Sequence, residues 1–158
     1  MKFTKSWAVL LASSVLAGSA LARDFTVGDV LIKDVWVRGT VAGQKATGAF
    51  MTLSSAKGAV VVSGASPVAG VVELHETIKD GEVMRMRQVK NLPVLAGKLR
   101  ELKPGAHHVM LMELKKTLNE GETVPVTLRI EQDGKIQEVS IEAPVRALGG
   151  APMKHGQH

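Results

Sequence analysis

Thr123-Val124-Pro125-Val126-Thr127-Leu128-Arg129-Ile130-Glu131-Gln132-Asp133-Gly134-Lys135-Ile136-Gln137-Glu138-Val139-Ser140-Ile141-Glu142-Ala143 reads as two strand-like runs joined by an Asp-Gly pair. Asp-Gly between strand-like runs is the strongest short-range hairpin signal, because a type I′ turn asks for positive φ at both central residues. The pattern recurs toward the N-terminus. Phe25 to Arg38 carries Val30, Ile32, Val35 and Val37 among polar residues, and Ala46 to Leu53, Ala59 to Ser63 and Val68 to Glu76 are short runs bounded by Gly, Ser and Pro. Glu82 to Lys90 follows a second Asp-Gly, Lys98 to Leu102 is a further short candidate, and Pro104-Gly105 punctuates the chain before His107 to Leu114. Many short strands with regular turn signals predict a single all-β domain, a β-sandwich.

The first 22 residues are expected to lie outside that domain. Lys2 and Lys5 precede an apolar stretch from Trp7 to Leu21, and Ala20-Leu21-Ala22 is a small-x-small cleavage signal, so 1–22 reads as a signal peptide and the protein as exported. The stretch is short for a membrane span, and no later run approaches the roughly 20 apolar residues a span needs. The sequence holds no cysteine, hence no lipobox thiol to acylate. The mature chain is therefore expected to be soluble, without membrane insertion. From Arg23 onward 136 residues remain, enough for one domain with a real core. The formal net charge falls from +5 to +3, because Lys2 and Lys5 leave with the leader and no acid does. The only aromatics left are Phe25, Trp36 and Phe50. Nucleic-acid binding, which wants a basic stripe and stacking residues, is excluded on those grounds. The domain is assigned to 23–145, and 146–158, with Gly149-Gly150 and Pro152, to a flexible tail.

Within the domain, His75, Met86, His108 and Met110 form a set of two imidazoles and two thioethers without thiolate. Such donors suit a site that holds Cu(I) and can give it up. With Asp80-Gly81 as a two-residue type I′ loop, Lys79 faces Glu82 and, counting back, His75 faces Met86. His108 and Met110, at i and i+2 of a strand, share a face, and alternation puts His107 on the other. Each residue alone has a plain structural alternative. A strand-borne His is commonly a hydrogen-bonded structural residue, and Met84, Met86, Met110 and Met112 would serve as core filler. Whether the two strand pairs adjoin is not fixed by spacing.

The spacing His75-x10-Met86-x21-His108-x-Met110 resembles the copper motif of the periplasmic copper chaperone family PCuAC, H-x10-M-x21-H-x-M. The flanks are similar too: Val35-Trp36-Val37-Arg38, Val72-Glu73-Leu74-His75-Glu76, Met84-Arg85-Met86 and Pro104 to Leu111. The likeness covers nearly the whole mature chain. It departs from the family at Ser54-Ser55-Ala56-Lys57-Gly58 and at Ala106, outside the four positions. The resemblance implies a cupredoxin-like Greek-key β-sandwich in the periplasm, monomeric and not an enzyme. It implies that His75, Met86, His108 and Met110 bind Cu(I), which passes to a copper-accepting protein of cytochrome c oxidase assembly. Some members carry a His- and Met-rich extension implicated in Cu(II) binding, and the tail with Met153, His155 and His158 resembles a short version. A blue-copper electron carrier would need a Cys thiolate, which is lacking. The competing expectation is an exported β-sandwich interaction module without metal.

Overall fold

The computed structural model describes residues 23–147, and among them every regular element is a strand. In chain order these are β1 (Phe25–Val27), β2 (Val30–Arg38), β3 (Ala46–Ser54), β4 (Ala59–Ala65), β5 (Ala69–Asp80), β6 (Val83–Gln88), β7 (Leu92–Val94), β8 (Arg100–Leu102), β9 (His108–Leu114), β10 (Thr123–Gln132) and β11 (Lys135–Arg146). The leader expected at 1–22 and the tail residues Met153, His155 and His158 lie outside the described residues. Strand β11 reaches Arg146, one residue into the segment assigned to the tail.

The strands pair in the order β6-β5-β9-β3-β2-β11-β10-β4-β7, with β1 on β2 and β8 on β3. Strand β11 joins two sheets: Lys135 to Pro144 pairs antiparallel with β10, while Val145 and Arg146 run parallel to Val37 and Arg38 of β2. The hairpin at Asp133-Gly134 closes as expected. Gln132 pairs with Lys135, and Asp133 and Gly134 both take positive φ, 53° and 73°. Alternation then sends Val124, Val126, Leu128 and Ile130 inward, all at most 1% exposed, to meet Ile32, Val37, Leu53, Val109 and Leu111 of the other sheet.

Strand β2 departs from simple alternation in a way that matters for the opposite surface. Between Lys33 and Trp36 its register against β3 shifts by one, and Asp34 takes a φ of 52°. Such a bulge flips the side-chain parity. Even-numbered Val30 and Ile32 point inward before it, odd-numbered Val35 and Val37 after it. Trp36 is thereby turned onto the outer face beside Phe50, with ring centroids 4.5 Å apart. The spacing of those four apolar residues already carried this shift.

One end of the sandwich is closed by a polar knot. Asp29 accepts from Ser55 Oγ at 2.8 Å, from the Lys57 amide at 2.9 Å and from Gln132 Nε2. The hydrogen bond from Gln132, aided by Ser55 and Lys57 and opposed by desolvation, holds the Asp29 carboxyl below its ordinary value of 3.8. A carboxylate whose folded pKa is depressed contributes stability above its unfolded pKa and loses it as pH falls. The denaturation midpoint is expected to drop below about pH 4, and Asp29→Asn to reduce that drop, in urea melts across pH.

Candidate functional site

Strands β5 and β9 are direct neighbours, with His75 opposite His108, Glu73 opposite Met110 and Leu74 opposite Val109. This pairing brings together the two halves that spacing left apart. The imidazoles face each other across the ladder, ring centroids 5.8 Å apart, and Met110 stands diagonally from His75. Leu74 and Val109, one residue along, point into the core, so the histidines occupy the outer face of their sheet.

The β5–β6 hairpin differs from expectation. Its turn is Gly81-Glu82 rather than Asp80-Gly81, so Asp80 pairs with Val83, Thr77 with Met86, and His75 with Gln88 instead of Met86. Turn chemistry explains the difference. Gly81 takes a φ of 63° and its partner in the turn, Glu82, does not, the sign pattern of a type II′ turn with Gly first; Asp133-Gly134 uses positive φ twice. A slip of two residues keeps each side chain on its face. Met86 therefore stays on the side of His75 but diagonal to it, a separation long side chains span. It is 60% exposed, at the rim.

His108 is only 3% exposed although it lies on an outer face. Phe50 stands beside it at 6.2 Å between ring centroids, and Arg38 lies over the Phe50 ring at 5.5 Å. The Phe50 ring reaches along β3 over Gly48, where an added Cβ would come within 2.6 Å of it. Gly48 is also the residue opposite Met110. A side chain there would collide with the ring. Together these groups, with Gln44, Thr77, Pro104, Gly105 and Met86, wall a cavity of about 220 Å³ that includes His108 and Met110.

Hydrogen bonding leaves one nitrogen of each ring bare. His75 Nε2 is 2.7 Å from Glu73 Oε2, and His108 Nδ1 is 3.1 Å from the Ala106 carbonyl. Among the described residues nothing partners His75 Nδ1 or His108 Nε2, and both are buried. An unpartnered buried polar atom costs about 1–3 kcal/mol, so two in adjacent rings call for a ligand. Thr77 Oγ1 and Arg38 Nε, both in side chains lining the cavity, are likewise buried and unpartnered.

Burial pushes the His108 pKa below its ordinary 6.5; the Ala106 carbonyl works against that, and electrostatic repulsion of a second positive charge beside His75, His107 and Arg38 reinforces it. At neutral pH the ring is neutral, with a lone pair to offer. His107 turns the other way and meets Glu76 at 3.3 Å, the same carboxylate that Arg87 Nε reaches at 2.5 Å. Burial, then Arg100, depresses its pKa against the pull of Glu76. The Glu76 clamp ties β6 and the loop before β9 to β5, holding the rim that carries Met86. Neither the clamp nor the contact of Glu73 with His75 was identified from the sequence. Alternation could have flagged Glu73, two residues before His75.

Among the described residues no three His, Asp or Glu side chains gather as a metal-holding group. The thioethers of Met86 and Met110 are the remaining candidates at the cavity wall.

The profile of a family described as "Putative lipoprotein LpqE-like" matches residues 30–145. A protein of Leifsonia xyli subsp. xyli described as a "putative lipoprotein" is 32% identical over 137 residues, 86% of this chain and 81% of its own length. An uncharacterized protein of Rickettsia prowazekii is 30% identical over 150 residues, 88% of this chain and 83% of its own. Among solved structures, the copper-bound PCuAC domain from PmoF2 superposes with a TM-score of 0.65 at 22% identity, over 80% of this chain and 99% of that one. The solution structure of the Cu(I) form of DR1885 from Deinococcus radiodurans gives 0.56 at 32% identity, over 82% of this chain and 85% of that one. The fold expected from the sequence, a cupredoxin-like β-sandwich, is the one these structures share.

Proposed function

The chain belongs to the LpqE-like family, and from its likeness to a Cu(I)-bound protein and the site's donor set we propose that it is a copper chaperone, a non-catalytic carrier of Cu(I). The observation that carries this is the pair of buried, unpartnered ring nitrogens, His75 Nδ1 and His108 Nε2, on strands directly hydrogen-bonded to each other. The thioethers of Met86 and Met110, which wall one cavity with His108 and stand diagonal to His75 in the strand register, select the metal class. Cu(I) is soft, has no strong geometric demand and accepts imidazole with thioether. His75, Met86, His108 and Met110 would hold the ion. The Cu(I)-bound relative from Deinococcus radiodurans, at 32% identity, supports the same choice.

Neutral donors, one of them on an exposed edge strand, suit an ion that must leave. A thiolate cage would hold it harder, and the sequence has no cysteine to build one. The cargo's destination is a copper-accepting protein, here proposed to serve assembly of the cytochrome c oxidase copper centre in the periplasm. Export follows from the leader read at 1–22, with 23–145 as the binding domain. The tail residues Met153, His155 and His158 would add a Cu(II) site. Cutting after Ala151 is expected to abolish Cu(II) binding and spare Cu(I), as measured by separate titrations of the two ions.

An anaerobic Cu(I) titration of the full chain against a competing chelator tests the proposal. One tight ion per chain is expected, and absence of competition would leave a metal-free interaction module. Because imidazole must be deprotonated to bind while thioether is insensitive to pH, affinity is expected to fall in acid, the loss through His108 setting in below the ordinary imidazole value of 6.5 because burial lowers its pKa. An affinity that never falls as the solution is acidified, while the domain stays folded, would show that His75 and His108 are not both ligands.

A further inference from the structure

Glu73 occupies a position that the four presumed donors do not explain. It stands on β5 two residues before His75, on the same outer face, and opposite Met110 on β9. Its Oε2 lies 2.7 Å from His75 Nε2, and the side chains are only 27% and 13% exposed. An ionised carboxylate accepts hydrogen bonds and donates none, so the proton of a neutral His75 must sit on Nε2. The lone pair is then on Nδ1, the atom that is buried without a partner. At His108 the roles are reversed. The Ala106 carbonyl, also an obligate acceptor, takes the proton of Nδ1 at 3.1 Å and leaves the lone pair on Nε2.

We propose that Glu73 is a positioning residue that fixes His75 in the Nε2–H form, so that copper is taken at His75 Nδ1 and at His108 Nε2. Resting on the carrier proposal above, this names the donor atoms and adds a carboxylate one bond removed from the ion. The consequence is electrical as well as geometric. Four neutral donors leave the bound ion's +1 charge uncompensated, and the Glu73 carboxylate, hydrogen-bonded to one of those donors, offsets it without entering the coordination shell. Outer-shell carboxylates on ligating histidines orient the ring and raise its basicity, and their loss typically costs about 10–100-fold in metal affinity.

The test is long-range proton–nitrogen NMR of the histidine rings in the full chain, first metal-free and above pH 7.5 or so. His75 is expected as the Nε2–H tautomer and His108 as Nδ1–H, and Cu(I) is expected to move His75 Nδ1 and His108 Nε2 most. Glu73→Leu should leave His75 a mixture of tautomers and weaken Cu(I) binding about 10–100-fold. Glu73→Gln, whose amide oxygen still accepts, should restore the tautomer and recover part of the affinity, a rescue that a merely structural role would not give. A metal-free His75 carrying its proton on Nδ1, or Cu(I) moving His75 Nε2, overturns the inference while the carrier proposal stands. Cu(I) that moves no ring nitrogen overturns both.

Discussion

Exchanging Met86 and Met110 together for leucine is expected to lower Cu(I) affinity by at least about a hundredfold, since changes one shell further out already cost 10–100-fold, and to leave thermal stability nearly unchanged. Leucine keeps the volume and apolar character of methionine but has no lone pair to donate. Such swaps usually cost less than about 1.5 kcal/mol even in a core. Met86 is 60% exposed and packs little, while Met110 is half-buried on an outer face. Chelator competition under anaerobic conditions reads the affinity, and circular dichroism melts of the same samples read the stability. The reverse outcome, unchanged affinity with a lowered melting temperature, would make both residues core filler.

Leu111→Ala, one position beyond Met110, is expected to do the opposite. Strand alternation puts Leu111 at 0% exposure in the core, against the inner face of the second sheet. Truncating a buried leucine removes its transfer free energy and leaves a cavity, together about 2–5 kcal/mol. For a domain of this size the melting temperature should fall on the order of ten degrees. The donors on the outer face are untouched, so Cu(I) affinity measured well below the new midpoint should stay within a few-fold of the unaltered chain. A variant that melts normally would mean that the inner face of β9 does not carry the core. Met110 and Leu111 are adjacent residues, and their separate effects follow from a period of two.

That period is also what made the fold readable. The hairpin at Asp133-Gly134, the alternation of β10 and the even-to-odd switch between Ile32 and Val35 are local facts, and each reappears as a turn, an inward face or a bulge. The Asp80-Gly81 pair was equally visible but misleading. Both I′ and II′ turns accept a glycine, and whether Gly81 takes the first or second central position depends on how β6 settles against β5, with Glu76 opposite Arg87. A shift of two residues cannot be detected from alternation, since it preserves the faces. Adjacency of β5 and β9 is further out of reach. It depends on a non-local pairing across more than thirty residues, and only that pairing sets His75 against His108. Glu73 is a different case: alternation puts it on the face of His75, but its significance appears only once the ring of His75 is seen to leave Nδ1 bare.

Exposure also divides the three proposed donors that line the cavity, Met86, His108 and Met110. His108 is enclosed by Phe50 and by the loop of Pro104 and Gly105, and Met86 sits at the rim on the edge strand of the sheet. A docking acceptor would meet Met86 first, and ligand exchange could begin there while the buried imidazoles still hold the ion.

The most direct measurement is X-ray absorption at the copper K edge on the full chain loaded anaerobically with one equivalent of Cu(I). Two thioether sulfurs and two imidazole nitrogens are predicted in the coordination shell, with the sulfur contribution lost in the Met86→Leu, Met110→Leu double variant. A shell of nitrogen and oxygen alone in the unaltered chain would contradict the assignment of Met86 and Met110, and with it the account of a soft, releasable copper site.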